Sequence, residues 1–225
     1  MSGSDSTAAT GRYSAFLFDM DGTILNSIAA AERIWGAWAL RHGLDVASFL
    51  PTIHGARAVD TVARLGLPGV DPELEAIGIT QAEIADVEGI VEVSGAADFL
   101  RSLPADKWAV VTSAPRDLAA RRMLAAGIPV PAILVTAEDV AAGKPHPDGY
   151  FLAASKLGVD AGDCLIFEDA AVGIAAGEAA GATVMVVTAT HFHPLATSHP
   201  SINSYQTVRI KVDSDGLMLL QEQGA

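Results

Sequence analysis

The chain has 225 residues, half of them hydrophobic and 18% charged, enough for one large domain or a domain with a substantial insertion around a sizeable core. A formal net charge of −13 argues against nucleic acid and anionic membrane as partners. No stretch approaches the roughly 18 to 20 apolar residues of a membrane span, and a single cysteine, Cys164, excludes an intramolecular disulfide framework. A soluble cytoplasmic protein is the expectation, with oligomeric state open and a monomer slightly favoured. An anionic substrate would need a local positive site set against the overall field, from a cation, a lysine or a helix N-terminus.

Residues 1–13 are small and polar, lack an apolar secretory core, and read as a flexible tail. The run Ala15–Phe18 reads as a buried strand. About ninety residues then separate it from the next such run, Trp108–Val111, far more than one crossover helix requires. This segment opens with Ile28, Ala31, Ile34, Trp35, Trp38 and His42 at helical spacing, closed by Gly43. Further helical pieces follow at 56–65 and 80–91. Residues 26–94 therefore read as a helical lid inserted over the carboxyl ends of the strands, where open α/β sheets bind ligands. After Trp108–Val111, strands at 133–135, 165–167 and 184–187 alternate with helices at Arg116–Ala126, 147–157 and 171–180. These helices stop at Gly127, Gly158 and Gly181. The alternation predicts a doubly wound α/β domain with a parallel sheet, built from residues 14–25 and 95–225.

Chemistry-bearing residues recur at the strand ends. The first strand runs into Asp19-Met20-Asp21-Gly22-Thr23, whose two-residue spacing lets both carboxylates reach one crevice. Alone, this is equally a polar turn. A calcium loop would need a Glu at its twelfth position, and that position is Ala30. The second strand ends in Thr112-Ser113-Ala114-Pro115, a hydroxyl pair that also suits an ordinary helix N-cap. Gly143-Lys144-Pro145-His146-Pro147 brings a lysine to a proline-stiffened turn, where a lone lysine is ordinarily solvated. The fourth strand ends in Glu168-Asp169, with Gly173 following. Adjacent acids at the end of a buried strand repel unless something cationic binds.

In this order and placement the residues resemble the haloacid dehalogenase superfamily of phosphatases. Asp19-Met20-Asp21-Gly22-Thr23 is similar to its first motif, Thr112 to its second, Lys144 to its third, and Glu168-Asp169 to its fourth. The resemblance covers residues 15–190 and includes the lid, which resembles that superfamily's helical cap. His54-Gly55-Ala56-Arg57 and the second and third motifs most resemble sugar-phosphate and polyol-phosphate phosphatases. A departure lies at the hinge into the lid, where Asn26-Ser27 stands in place of the family's frequent Asp-Ser. Residues from His191 onward match nothing.

The resemblance implies a Rossmann-like core and Mg²⁺-dependent hydrolysis of a small phosphorylated metabolite through an aspartyl-phosphate on Asp19. It makes Asp21 the general acid and base, Thr112 a ligand of the phosphoryl oxygens, and Lys144 a charge partner. The metal would take Asp19, the Asp21 backbone carbonyl and Asp169. Thr23, His54, Arg57, Ser113 and Glu168 join as substrate-binding candidates, with Glu168 alternatively an outer metal partner. The charge balance agrees: two carboxylates and a phosphate dianion bring about −4, and Mg²⁺ with Lys144 returns about +3.

Rival readings remain. A sugar phosphomutase would share every core residue, although Thr23 leans toward a phosphatase because the resembling mutases more often carry valine there. A haloacid dehalogenase has no use for Asp21. A non-catalytic binding protein would tend to lose the nucleophile or the metal acids, and here all are present. Cys164, Trp35 and Trp38 read as core residues. His191, His193 and His199 fall in an irregular tail and are not read as a metal site.

Overall fold

A computed structural model of the protein describes residues 11–191 and 197–222. The chain opens with β1 (Arg12–Tyr13) and β2 (Ala15–Phe18). A short strand, β3 (Leu25–Asn26), leads into α1 (Ile28–Arg41), α2 (Val46–Phe49), α3 (Ala58–Leu65) and α4 (Pro72–Ala85), and β4 (Val91–Glu92) leads out. Then come α5 (Ala96–Ser102), β5 (Trp108–Val111), α6 (Arg116–Ala126), β6 (Leu134–Val135), α7 (Asp148–Leu157), β7 (Cys164–Glu168), α8 (Ala171–Ala179) and β8 (Thr183–Val187). Three strands close the chain: β9 (Ser201–Ile202), β10 (Val208–Val212) and β11 (Met218–Glu222).

Six parallel strands form the main sheet in the order β6-β5-β2-β7-β8-β9. The central strands β2, β5 and β7 are short and buried on both faces because helices cover both sides. Residues alternate accordingly: Phe16 and Phe18 of β2 join one buried cluster with α5 and α6, while Ala15 and Leu17 join the other with α7. Strand order reverses between β2 and β7, so the ligand crevice of such a sheet opens beyond the carboxyl ends of these two strands. This is the doubly wound α/β core, with the helical insertion following β2 and β3.

Helices α1 to α4 bury their own apolar cluster around Trp35, Trp38, Phe49, Ile53, Val62 and Ile79. Trp38 is fully buried and its Nε1 donates to Glu75 at 2.7 Å, which satisfies the one polar atom of the ring. The insertion is entered and left through a two-stranded antiparallel neck that pairs Leu25 with Glu92 and Asn26 with Val91. Among the described residues, no helix is long and apolar enough to cross a membrane.

Several expectations change. Arg12 and Tyr13 are not part of a loose tail, since they pair with Leu219 and Met218 of β11 in a second sheet, β1-β11-β10. Residues 1–10 lie outside the described part. The segment after His191 supplies β9 to the main sheet and the β10–β11 hairpin to the second. Two-residue strands carry too little periodicity to be read, and the charged face of β10 hides its partnership. Helix α4 runs Pro72–Ala85 rather than 80–91, capped by Asp71, whose side chain accepts from the Glu73 and Leu74 amides. An aspartate followed by proline is a start signal for a helix, and it outweighs the later apolar spacing.

Candidate active site

The floor of the crevice is made one residue past each strand end. Asp19 N–H donates to the Phe167 carbonyl at 3.0 Å, and Thr112 N–H to that of Val135 at 2.9 Å, so both residues prolong the ladder before turning outward. Lys144 comes from the loop before α7 and is buried beneath them. Its Nζ donates to Asp19 Oδ1 at 2.5 Å, to Glu168 Oε1 at 2.6 Å and to the Val111 carbonyl at 3.2 Å. All three ammonium protons are therefore used. Glu168 is fully buried. Its Oε1 also accepts from the Tyr150 hydroxyl at 2.7 Å, and its Oε2 from the Asp169 and Ala170 amides at 3.1 and 3.3 Å.

Two glycines permit this crowding. At Gly173 an added Cβ would lie 1.8 Å from Glu168 Oε1, and at Gly22, with φ +89°, 2.0 Å from Asp169 Oδ2. The Thr23 hydroxyl, also buried, donates to Asp169 Oδ1 at 3.2 Å.

Electrostatics follow from burial. Burial raises the Asp19 carboxyl, Lys144 draws it back and Glu168 adds to the rise, leaving it at about 7. Asp169 is pushed well above the ordinary carboxylate range by burial, then by Asp19 and Glu168. Burial by itself would lower the Lys144 ammonium, but Asp19 and Glu168 outweigh it and hold the amine protonated. Asp19, Glu168 and Asp169 can each offer a carboxylate oxygen within 4.8 Å of the others. Such a donor set, all oxygen and short of positive charge, fits a hard divalent cation such as Mg²⁺. Since Glu168 already accepts four hydrogen bonds, Asp19 and Asp169 are the acids free to serve it.

Asp21 stands on the crevice wall. Its Oδ1 accepts from the Ser27 hydroxyl at 2.5 Å and faces Arg122 Nη1 at 3.0 Å. Arg122 comes from α6 of the core, and its Nη2 donates to Glu83 Oε1 of α4 at 3.0 Å. Burial raises the Glu83 carboxyl, and Arg122 pulls it back. The insertion also contributes Trp35, His54 and Thr80 to the crevice lining, and the core adds Thr112 to Pro115. The Ser113 hydroxyl donates to the Gly55 carbonyl at 2.8 Å, tying the Thr112 loop to the His54 loop. Burial lowers the His54 imidazole, against the pull of Glu32 and Asp21. Neutral imidazole can both donate and accept.

Of the residues singled out in the sequence, Asp19, Asp21, His54, Thr112, Ser113 and Asp169 line the crevice, and Lys144 and Thr23 support it from below. Two are placed differently. Arg57 does not face the crevice: its Nε and Nη2 bind Asp60 at 2.6 and 3.0 Å, and its Nη1 donates to the Ala141 carbonyl at 3.2 Å. Asp60, in the first turn of α3, captures the guanidinium. Glu168 does not touch the crevice space either; its four hydrogen bonds make it a buttress for Lys144 rather than a reader of substrate hydroxyls. His191 Nε2 lies 2.9 Å from the Asp169 carbonyl and His199 pairs with Glu178, while His193 is outside the described residues.

Sequence reasoning missed Ser27, Thr80, Glu83, Arg122 and Tyr150. For Arg122 a signal existed. It shares the buried face of α6 with Leu118, Ala119 and Met123, and an arginine on an apolar helix face needs a partner.

The haloacid dehalogenase-like hydrolase family matches residues 13–181. Hexitol phosphatase A of Escherichia coli is 40% identical over 79% of this chain and 84% of its own. Glycerol-1-phosphate phosphohydrolase 2 of Saccharomyces cerevisiae is 35% identical over 80% of this chain and 76% of its own. A solved structure of a hydrolase from Pseudomonas syringae superposes with a TM-score of 0.70 at 26% identity, covering 78% of this chain and 84% of that one. The parallel sheet with its flanking helices agrees with these likenesses. This chain belongs to the haloacid dehalogenase-like hydrolase family and is a phosphoric monoester hydrolase.

Proposed function

We propose that the chain is a Mg²⁺-dependent phosphatase of sugar or polyol phosphates that works through an aspartyl-phosphate on Asp19. The observation that carries this reading is the contrast between two carboxylates on one loop. Asp19 is buried and tied to Lys144, as suits a nucleophile, while Asp21 is held from the wall by Ser27 and Arg122. Two acids in distinct environments can divide the roles of nucleophile and acid.

Asp19 would attack phosphorus while the phosphorus–oxygen bond to the substrate alcohol breaks. Asp21 would give its proton to the departing alkoxide, releasing the alcohol. Water would then attack the aspartyl-phosphate, Asp21 would take a proton from it, and phosphorus–oxygen cleavage would restore the Asp19 carboxylate and free inorganic phosphate. Thr112 would bind phosphoryl oxygens and Lys144 would offset their charge. Asp19, Asp169 and the Asp21 carbonyl would hold Mg²⁺, which supplies positive charge against the phosphoryl group when bound. The insertion serves as a lid, with His54 and Thr80 facing the alcohol. A cytoplasmic setting belongs to the same proposal.

The test is phosphate release from a panel of hexitol, pentitol, glycerol, hexose and nucleotide phosphates, with Mg²⁺ and with excess EDTA. Turnover of a polyol or sugar phosphate should need Mg²⁺, and Asp19→Asn should lower it by more than about a thousandfold with the fold retained. Full activity in EDTA, or appreciable turnover by the variant, would overturn the mechanism.

A further inference from the structure

Arg122 is a buried cation that the chemistry above does not employ. Its side chain is 7% exposed and it lies between two carboxylates that belong to different parts of the molecule. Nη1 faces Asp21 of the catalytic loop and Nη2 donates to Glu83, itself 8% exposed, on α4 of the insertion. Its Nε is buried with no hydrogen-bond partner. The guanidinium is thus held on its outer side by Asp21 and Glu83 alone. A buried arginine donor left unpaired is a cost that some other need must offset.

The need is visible at Asp21. Both of its contacts, from the Ser27 hydroxyl and from Arg122, fall on Oδ1, and Oδ2 carries no hydrogen bond among the described residues. Two donors on one oxygen fix the rotation of a carboxylate. With both donors on Oδ1, Oδ2 is the oxygen left open to meet the substrate and water. We infer that Arg122 is a positioning residue, held in place by the lid residue Glu83, that presents Asp21 Oδ2 to the leaving group and later to water. This rests on the reading of Asp21 as general acid and base. It adds that the acid is correctly set only while the insertion keeps Glu83 against α6. Opening the lid would free the guanidinium, and with it the carboxylate.

Leaving groups of different acidity separate this role from its rivals. Three substrates suffice: the best polyol phosphate, a plain alkyl phosphate without hydroxyls such as butyl phosphate, and 4-nitrophenyl phosphate. An alkoxide needs a proton to depart and 4-nitrophenolate does not. The quantity kcat/KM reports only steps through formation of the aspartyl-phosphate, whereas kcat also includes attack by water. Arg122→Ala should lower kcat/KM about 10- to 100-fold on the polyol and the butyl phosphate alike, and far less on the aryl phosphate. On the aryl phosphate kcat and KM should fall together, because water still needs Asp21. If Arg122→Ala folds poorly with Glu83 left alone, Glu83→Gln combined with Arg122→Gln removes both charges, keeps a neutral contact, and should show the same pattern. Arg122→Lys, which reaches one acid but not both, should recover only part of the loss.

Loss confined to the polyol phosphate would overturn the inference, since Arg122 would then read hydroxyls. Equal loss of kcat/KM on all three substrates, or none on any, would overturn it in favour of a structural role. If the unmodified enzyme hydrolyses none of the three, the phosphatase reading itself falls, and that failure is visible before any variant is made.

Discussion

Two buried cations in this protein each sit between two carboxylates, and they are built in opposite ways. Lys144 joins Asp19 to Glu168, and all its partners lie on the rigid sheet and its flanking loops. Tyr150 and the Asp169 and Ala170 amides just before α8 secure Glu168 in turn. Arg122 joins Asp21 to Glu83, and one of these acids belongs to the helical insertion. The first bridge cannot open without breaking the core, whereas the second opens whenever α4 moves away from α6. On the proposed mechanism, a site that holds a phosphoryl group and releases an alcohol gains from this division. The charge that serves phosphate is permanent, and the charge that serves the leaving group is conditional.

The comparison breaks most severely at Lys144. Lys144→Ala would leave Asp19 and Glu168 buried without a counter-charge, and removing one partner of a buried pair costs about 3–5 kcal/mol. Thermal unfolding should show that loss, and residual turnover should fall equally on alkyl and aryl phosphates, in contrast to the selective loss expected at Arg122. A selective loss at Lys144 as well would erase the distinction between the two bridges.

A smaller effect concerns pH in the metal-free protein. Asp19 rises from an ordinary 3.8 to about 7 in the fold, with Asp169 also raised, burial being the first cause for both. The folded protein therefore keeps protons that the unfolded chain has released, and stability must fall as pH rises through that window. In EDTA, the melting temperature should be lower at pH 8 than at pH 5. Saturating Mg²⁺, which favours the ionised acids, should narrow the gap, and Asp19→Asn should narrow it without metal. A gap indifferent to both would show that other groups set the pH dependence.

The smallest effect is expected at Arg57. Because its guanidinium is spent on Asp60 and a carbonyl of the loop before Lys144, Arg57→Ala should change kcat/KM by less than about threefold, equally for polyol and aryl phosphates. A loss confined to the polyol phosphate would show that Arg57 swings into the crevice when substrate binds.

Three of the four motif positions were legible in the sequence for a local reason. A parallel strand buried on both faces is a short apolar run, and whatever follows it must lie at the carboxyl edge of the sheet. Asp19, Thr112 and Asp169 could be placed in one crevice without coordinates, because strand pairing brings all such ends together. The helical insertion was legible from the length of the first connection and from the spacing of Trp35 and Trp38.

What lay beyond the sequence was every relation between elements that no local pattern encodes. The direction of Arg57 was decided by Asp60, and the isolation of Glu168 from the crevice by Tyr150 and the Asp169 and Ala170 amides. The union of Ser27, Glu83 and Arg122 around Asp21 required α4 to dock on α6, two helices from separate parts of the chain. Strand β1 depends on a partner more than two hundred residues away, and a two-residue strand has no periodicity to announce it. The sequence by itself determined which groups stand at the strand ends, because the period of a buried strand dictates its exit. Only the tertiary structure decided which of the remaining charges meet, because helix docking is set by the shape of whole faces.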